Sequence, residues 1–176
     1  MKFNQDKLSE IKALFNEFGF SLQEESELHV RFESKHVLIV FSHNPRENSN
    51  TLWVKGKHTH EIEIDNRLMK DFFDSDIKIS ELPIDTFLAN LFMFFKEDGN
   101  DLLKSSESVI SNLANYSEQR SNKYTEELID KQYLEAAQKA WQNRNYHDFI
   151  IQLKKVSEEK LTPSLIQKLK IAQSKI

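Results

Sequence analysis

Residues 28–41, LHVRFESKHVLIVF, constrain the fold more than any other part of the chain. Leu28, Val30 and Phe32 alternate with His29, Arg31 and Glu33, the period-two pattern of a strand with one buried face. The run from His36 to Phe41 is apolar at both parities, which predicts a central strand covered on both sides. A hairpin through Ser34-Lys35 would set Val30 opposite Ile39 and Phe32 opposite Val37. The next residues, SHNPRENSN, hold Asn44-Pro45 and several turn formers and read as a loop. TLWVKGKHTHEIEID then predicts a second hairpin turning near Gly56. Leu52, Val54, Ile62 and Ile64 share one face of it, and Trp53, Lys55, Glu61 and Glu63 share the other.

Helical patterns flank this sheet. Asn4 opens a first helix with Leu8, Ile11, Leu14, Phe15 and Phe18 on one face, Phe3 placed to pack on Leu8, and Gly19 as a left-handed stop. Asp65 caps a short helix carrying Leu68, Met69, Phe72 and Phe73. Ile84, Phe87, Leu88, Leu91, Phe92 and Phe95 form a stripe, with Met93 and Phe94 off it. A helix apolar nearly all round is buried on several sides, and Gly99 ends it. Val109, Ile110, Leu113 and Tyr116 support a further helix, and SEQRSN reads as a break before the next. That one runs from about Thr125 to Trp141, with Ile129, Tyr133, Ala137, Ala140 and Trp141 as its face. Its stripe and that of Tyr146, Phe149, Ile150 and Leu153 lie roughly 140° out of phase, which predicts a corner at Asn143-Arg144-Asn145. A last helix starts at Thr162-Pro163, with a Leu161–Ile166 staple and Leu165, Leu169 and Ala172 on its face.

The fold class is therefore α+β: an N-terminal helix, a four-stranded antiparallel sheet, and a helical C-terminal half packed on the sheet. One domain is expected over 1–176, with a helix-sheet-helix part at 1–80 and a helical part at 81–176. Only three Gly and three Pro occur among 176 residues, which disfavours an all-β fold.

Composition narrows the chemistry. No Cys is present, so disulfides, thiolate catalysis and Cys-ligated zinc are excluded. Asp6 and Glu10 interrupt any secretory apolar region, and the longest apolar runs, VLIVF and LFMFF, are far short of the ~20 residues of a membrane span. A cytoplasmic protein with no membrane partner is expected. The formal net charge of −4 argues against a nucleic-acid partner. Residues 97–135 hold nine acidic and four basic side chains, and residues 151–176 hold six Lys and two Glu. Most of this is solvated helix surface; an acidic face could also steer a basic partner.

Five of the six His lie between 29 and 60. His58 and His60 share a strand face, but Glu61 and Glu63 point the other way, so that strand cannot complete a metal site. No HExxH, EF-hand, GxSxG, P-loop or GxGxxG occurs, and no catalytic residue, metal ligand or cofactor is assigned. The candidate interface is Trp53, Lys55, Glu61 and Glu63. It is either an exposed aromatic anchor with an acidic rim or a face covered by later helices, as the need to cover Leu38 and Val40 favours.

The elements Ala140-Trp141, Asn145-Tyr146, Phe149-Ile150, Leu161-x-x-Ser164 and Lys170-Ile171-Ala172 cover about a third of the chain. In these the C-terminal half resembles small uncharacterised bacterial proteins, immunity-type proteins encoded beside toxins among them. The Ala-Trp…Tyr order is also similar to one tetratricopeptide-like helix pair, without the 34-residue repeat. The resemblance implies a non-catalytic inhibitor whose partner is a protein, a toxin, and it transfers no functional residue. The alternatives are a helical adaptor without a toxin partner, and an unrecognised enzyme or small-ligand domain.

Overall fold

Asn4 opens helix α1 (Gln5–Glu17) by accepting hydrogen bonds from the N–H groups of Asp6 and Lys7, which the helix itself cannot satisfy. The computed structural model describes residues 2–104 and 106–176. Gly19, at φ +77°, turns the chain out of α1 into an antiparallel sheet. The sheet runs in sequence order through β1 (Ser21–Glu25), β2 (His29–Glu33), β3 (Val37–Asn44), β4 (Ser49–Gly56) and β5 (Glu61–Glu63).

The fold is α+β, with five strands where four were expected. The additional strand is β1, exposed at every position. With no buried face it carries no alternation to read. A bulge between Leu22 and Glu24 interrupts its pairing with β2, a device that blunts an open sheet edge.

Two further expectations are corrected. The first hairpin turns at Lys35-His36, closed by Ser34 N–H to Val37 O at 2.8 Å, so Val30 faces Phe41 and Phe32 faces Ile39. The shift is by two residues and leaves every side chain on its expected face. The expected loop at 42–50 shrinks to residues 45–48, because β3 and β4 stay paired out to Asn44 and Ser49. The second hairpin pairs Val54 with Ile62 and Lys55 with Glu61, which puts these side chains on their expected faces.

The inner face of the sheet is closed. Val30, Phe32, Ile39, Phe41, Leu52, Val54 and Ile62 are buried there. They meet α1, α2 (Asn66–Phe73), α3 (Ile84–Lys96), α4 (Asn100–Leu103) and the start of α5 (Glu107–Gln142) in one core. Phe15 of α1 is a hub, with ring centroids 4.5 Å from Phe32, 4.9 Å from Phe95 and 5.4 Å from Phe20. Such tilted and edge-on pairs add about 0.5–1.5 kcal/mol each beyond burial. In α3 the roles of two Phe are exchanged from expectation. Phe94 is fully buried against Phe73 and Phe95, while Phe92 is half-buried beneath the Lys96 ammonium.

The chain divides into two compact units, Met1–Glu118 and Gln119–Ile176, with the boundary inside α5. The break expected at SEQRSN is absent, and α5 is continuous through it. No Gly or Pro interrupts it, and Glu, Gln, Arg and Lys are good helix formers needing no buried stripe. Within the expected helical half, residues from Ile84 to Tyr116 pack in the sheet's core. Those from Tyr133 to Ala172 form a second cluster centred on Ala137, Phe149, Leu153, Val156 and Ala172. This unit holds α6 (Tyr146–Leu153) and α7 (Pro163–Gln173).

The corner is where the phase change placed it. Arg144 takes the left-handed conformation at φ 58°, and Asn145 caps α6 by accepting from the Asp148 N–H. Trp141 packs at 5.6 Å from Tyr146 and 5.0 Å from Phe149, with the Lys168 ammonium over its ring. Thr162 caps α7 with Pro163 in its first turn. Ile129 and Ile166, expected to pack, are exposed. Asp130 is buried beside Ile129 and accepts the Ser157 N–H at 3.0 Å.

Candidate interaction face

Strand periodicity places the outward side chains in rows. Glu24, Arg31, Val40, Trp53 and Glu63 form one row across all five strands. Glu33, Leu38, Lys55 and Glu61 form the next, and His29, Ser42 and Thr51 a third. The Ser42 and Thr51 hydroxyls meet at 2.7 Å. All four residues expected at an interface lie here. Trp53 and Lys55 are half-buried, and Glu61 and Glu63 are exposed.

The expectation that β3 is covered on both sides is corrected. Its inward residues are buried and its outward Leu38 and Val40 are only half-buried. Neither these two nor Trp53 joins the core cluster, so the helices packed in that core do not cover this face. An open groove of about 240 Å³ lies over Leu38, Val40 and Trp53, edged by His29, Arg31, Lys55 and Glu61. A second, of about 350 Å³, adjoins it at Arg31, Leu38 and Lys55 and extends past Lys35 and Lys57.

The electrostatics of this face are loosely paired. Lys55 Nζ reaches Glu61 at 3.8 Å, and His29 Nε2 reaches Glu24 at 3.8 Å. Both are partly exposed contacts worth little to stability. Arg31 differs, because its Nε is shut off from solvent and has no hydrogen-bond partner among the described residues. A buried donor without an acceptor is costly.

Two other polar clusters contain histidine. His36 Nδ1 lies 3.1 Å from Glu107 Oε1 in a cleft that also touches His58 and Ser111. At about 40 Å³ the cleft has room for only a few water molecules. Among the described residues, no three His, Asp or Glu are grouped so as to hold a metal ion.

His43 and Asn50 are the other cluster, buried opposite one another on β3 and β4. Asn50 donates to the carbonyls of Ile79 and Leu82 at 2.9 and 3.0 Å, leaving its Oδ1 to accept from His43 Nδ1 at 2.7 Å. That fixes the Nδ1–H tautomer and ties the segment between α2 and α3 to the sheet. Assigning this stretch to a loop hid the pair. Its signal was the inward parity His43 shares with Ile39 and Phe41, and Asn50 with Leu52 and Val54.

No family model matches the chain, and neither a curated protein nor a solved structure matches it. Among the described residues, no helix is long and apolar enough to cross a membrane.

Proposed function

We propose that this chain is a non-catalytic protein-interaction module that binds through the outer face of its sheet. One observation carries this reading: Leu38, Val40 and Trp53, three large apolar side chains on adjacent central strands, stand half-buried and open beside a closed inner face. A contiguous apolar floor ringed by charged side chains is how protein contacts are built, with an aromatic anchor at the centre carrying most of the energy. In its toxin-neutralising form, which rests on the resemblance of the C-terminal half to immunity-type proteins, the partner is an enzyme inhibited by the contact.

The test is calorimetric titration against the products of the neighbouring genes, using the wild type and Trp53→Ala. The anchor reading expects Trp53→Ala to weaken binding by about 2 kcal/mol or more, roughly thirtyfold, with an unchanged circular dichroism spectrum. A complex that binds Trp53→Ala as tightly as wild type removes this face from the interaction. If the partner is a toxin, its activity must fall in proportion to complex formed.

A further inference from the structure

The charges around the groove identify the kind of partner that fits it. The chain as a whole is acidic, at −4. The end of the outer face next to the two hairpin turns is the reverse: Arg31, Lys35, Lys55 and Lys57 line it against Glu33. Lys35 and Lys57 are exposed and have no ion-pair partner among the described residues. Among the described residues Lys55 has only its long contact to Glu61.

Arg31 adds geometry to this charge. Its side chain lines both grooves. A guanidinium is met best by a carboxylate, which can accept two parallel hydrogen bonds. The apolar floor continues from this point to Trp53, so a ligand reaching Arg31 also covers carbon surface.

Resting on the protein-binding reading above, we infer that the partner presents an acidic segment: an aliphatic or aromatic side chain seated over Leu38 and Trp53, flanked by Asp or Glu carboxylates that meet Arg31, Lys35 and Lys57. The local cationic cluster attracts such a segment despite the negative whole, and the attraction is screened by salt. A nucleic acid offers anionic charge without the aliphatic anchor that the floor fits.

Three synthetic peptides test this, each with the same Leu-Trp centre, flanked by Glu, by Gln or by Lys. They are titrated into the ¹⁵N-labelled full chain. The Glu-flanked peptide is expected to shift the Arg31 Nε–H, the Trp53 indole N–H and the Lys35 and Lys57 amides. It should bind at least about tenfold tighter than the Gln-flanked one. The double variant Lys35→Glu/Lys57→Glu, both at exposed positions, should lose that tenfold preference while keeping the wild-type melting temperature. Equal binding of the Glu- and Gln-flanked peptides at Trp53 overturns the acidic partner and leaves the protein-binding face standing. If no peptide shifts Trp53 or the groove, both inferences fall. Shifts from the Glu-flanked peptide confined to Lys154, Lys168 and Lys170 overturn the acidic-segment site, and so does tighter binding of a single-stranded oligonucleotide at the groove.

Discussion

At the scale of single residues, the informative positions are those where burial and polarity conflict. Asp130 is 6% exposed and its carboxylate accepts the Ser157 N–H. That hydrogen bond holds its pKa below the ordinary carboxylate value. A lowered folded-state pKa stabilises the fold above the unfolded value, near 3.8, and the contribution is lost as pH falls through the folded value. Asp130→Asn should therefore be less stable than wild type at pH 7, and the gap should close as pH falls below about 4. Urea titrations of both proteins at pH 7 and pH 3, read by Trp141 fluorescence in a Trp53→Phe background, check this. A gap that widens with acid contradicts the assignment. Gly99 tests packing instead. A Cβ there would lie 2.5 Å from Phe94 Cε1, and that ring is fixed between Phe73 and Phe95. Gly99→Ala should cost about 1–3 kcal/mol by overpacking, measured as a fall in the denaturation midpoint. A Cβ at Gly19 would meet no other part of the described chain within 4 Å, so Gly19→Ala acts through the positive φ alone.

At the scale of elements, the sequence was readable wherever one face is buried and the other is not. The alternation in β2, β4 and β5 assigned every side chain to its face, even where the first hairpin slipped by two residues. The same logic fails for β1, exposed throughout, and for the middle of α5, where residues 117–129 are almost all polar or exposed. There the backbone is set by propensity and by pairing with a neighbour, and neither leaves a hydrophobic signature. The α5–α6 corner was legible because two buried stripes cannot share one straight helix. Which residue would turn was not, because the pattern fixes the angle and not the torsion. Arg144, and neither flanking Asn, takes φ 58°. A non-glycine residue in this region is strained by about 1–2 kcal/mol. Arg144→Gly should relieve part of this and raise the melting temperature, whereas Arg144→Val should lower it. A melting temperature that falls in the glycine variant would mean that the Arg144 side chain holds the corner by contacts of its own.

At the scale of the whole molecule, the parity of β4 and β5 put Trp53, Lys55, Glu61 and Glu63 together from sequence alone. The openness of their face was not legible, because it depends on which side of the sheet the helices occupy. Arg31, Lys35 and Lys57 joined the site only through the registers of β2 on β3 and of β3 on β4, which alternation along one strand does not fix. The two cores have the same origin: periodicity marks each buried stripe without saying which stripes meet. Gln119–Ile176 relies on a cluster of five buried side chains, of which Phe149 is the largest. A small core of this kind supplies no more than about 3–5 kcal/mol. Phe149→Ala removes a comparable amount, about 3–5 kcal/mol, through lost burial and the cavity left behind. This variant should therefore lose the tertiary structure of its C-terminal unit, while the sheet keeps the separate core built on Phe15, Phe32 and Phe41. Amide exchange separates the outcomes. Protection should vanish from α6, α7 and the end of α5 while Ile39, Phe41, Leu52 and Val54 still exchange slowly. Loss of protection in both units together would mean that the continuous α5 helix couples them into one cooperative fold, and that two cores do not make two stabilities.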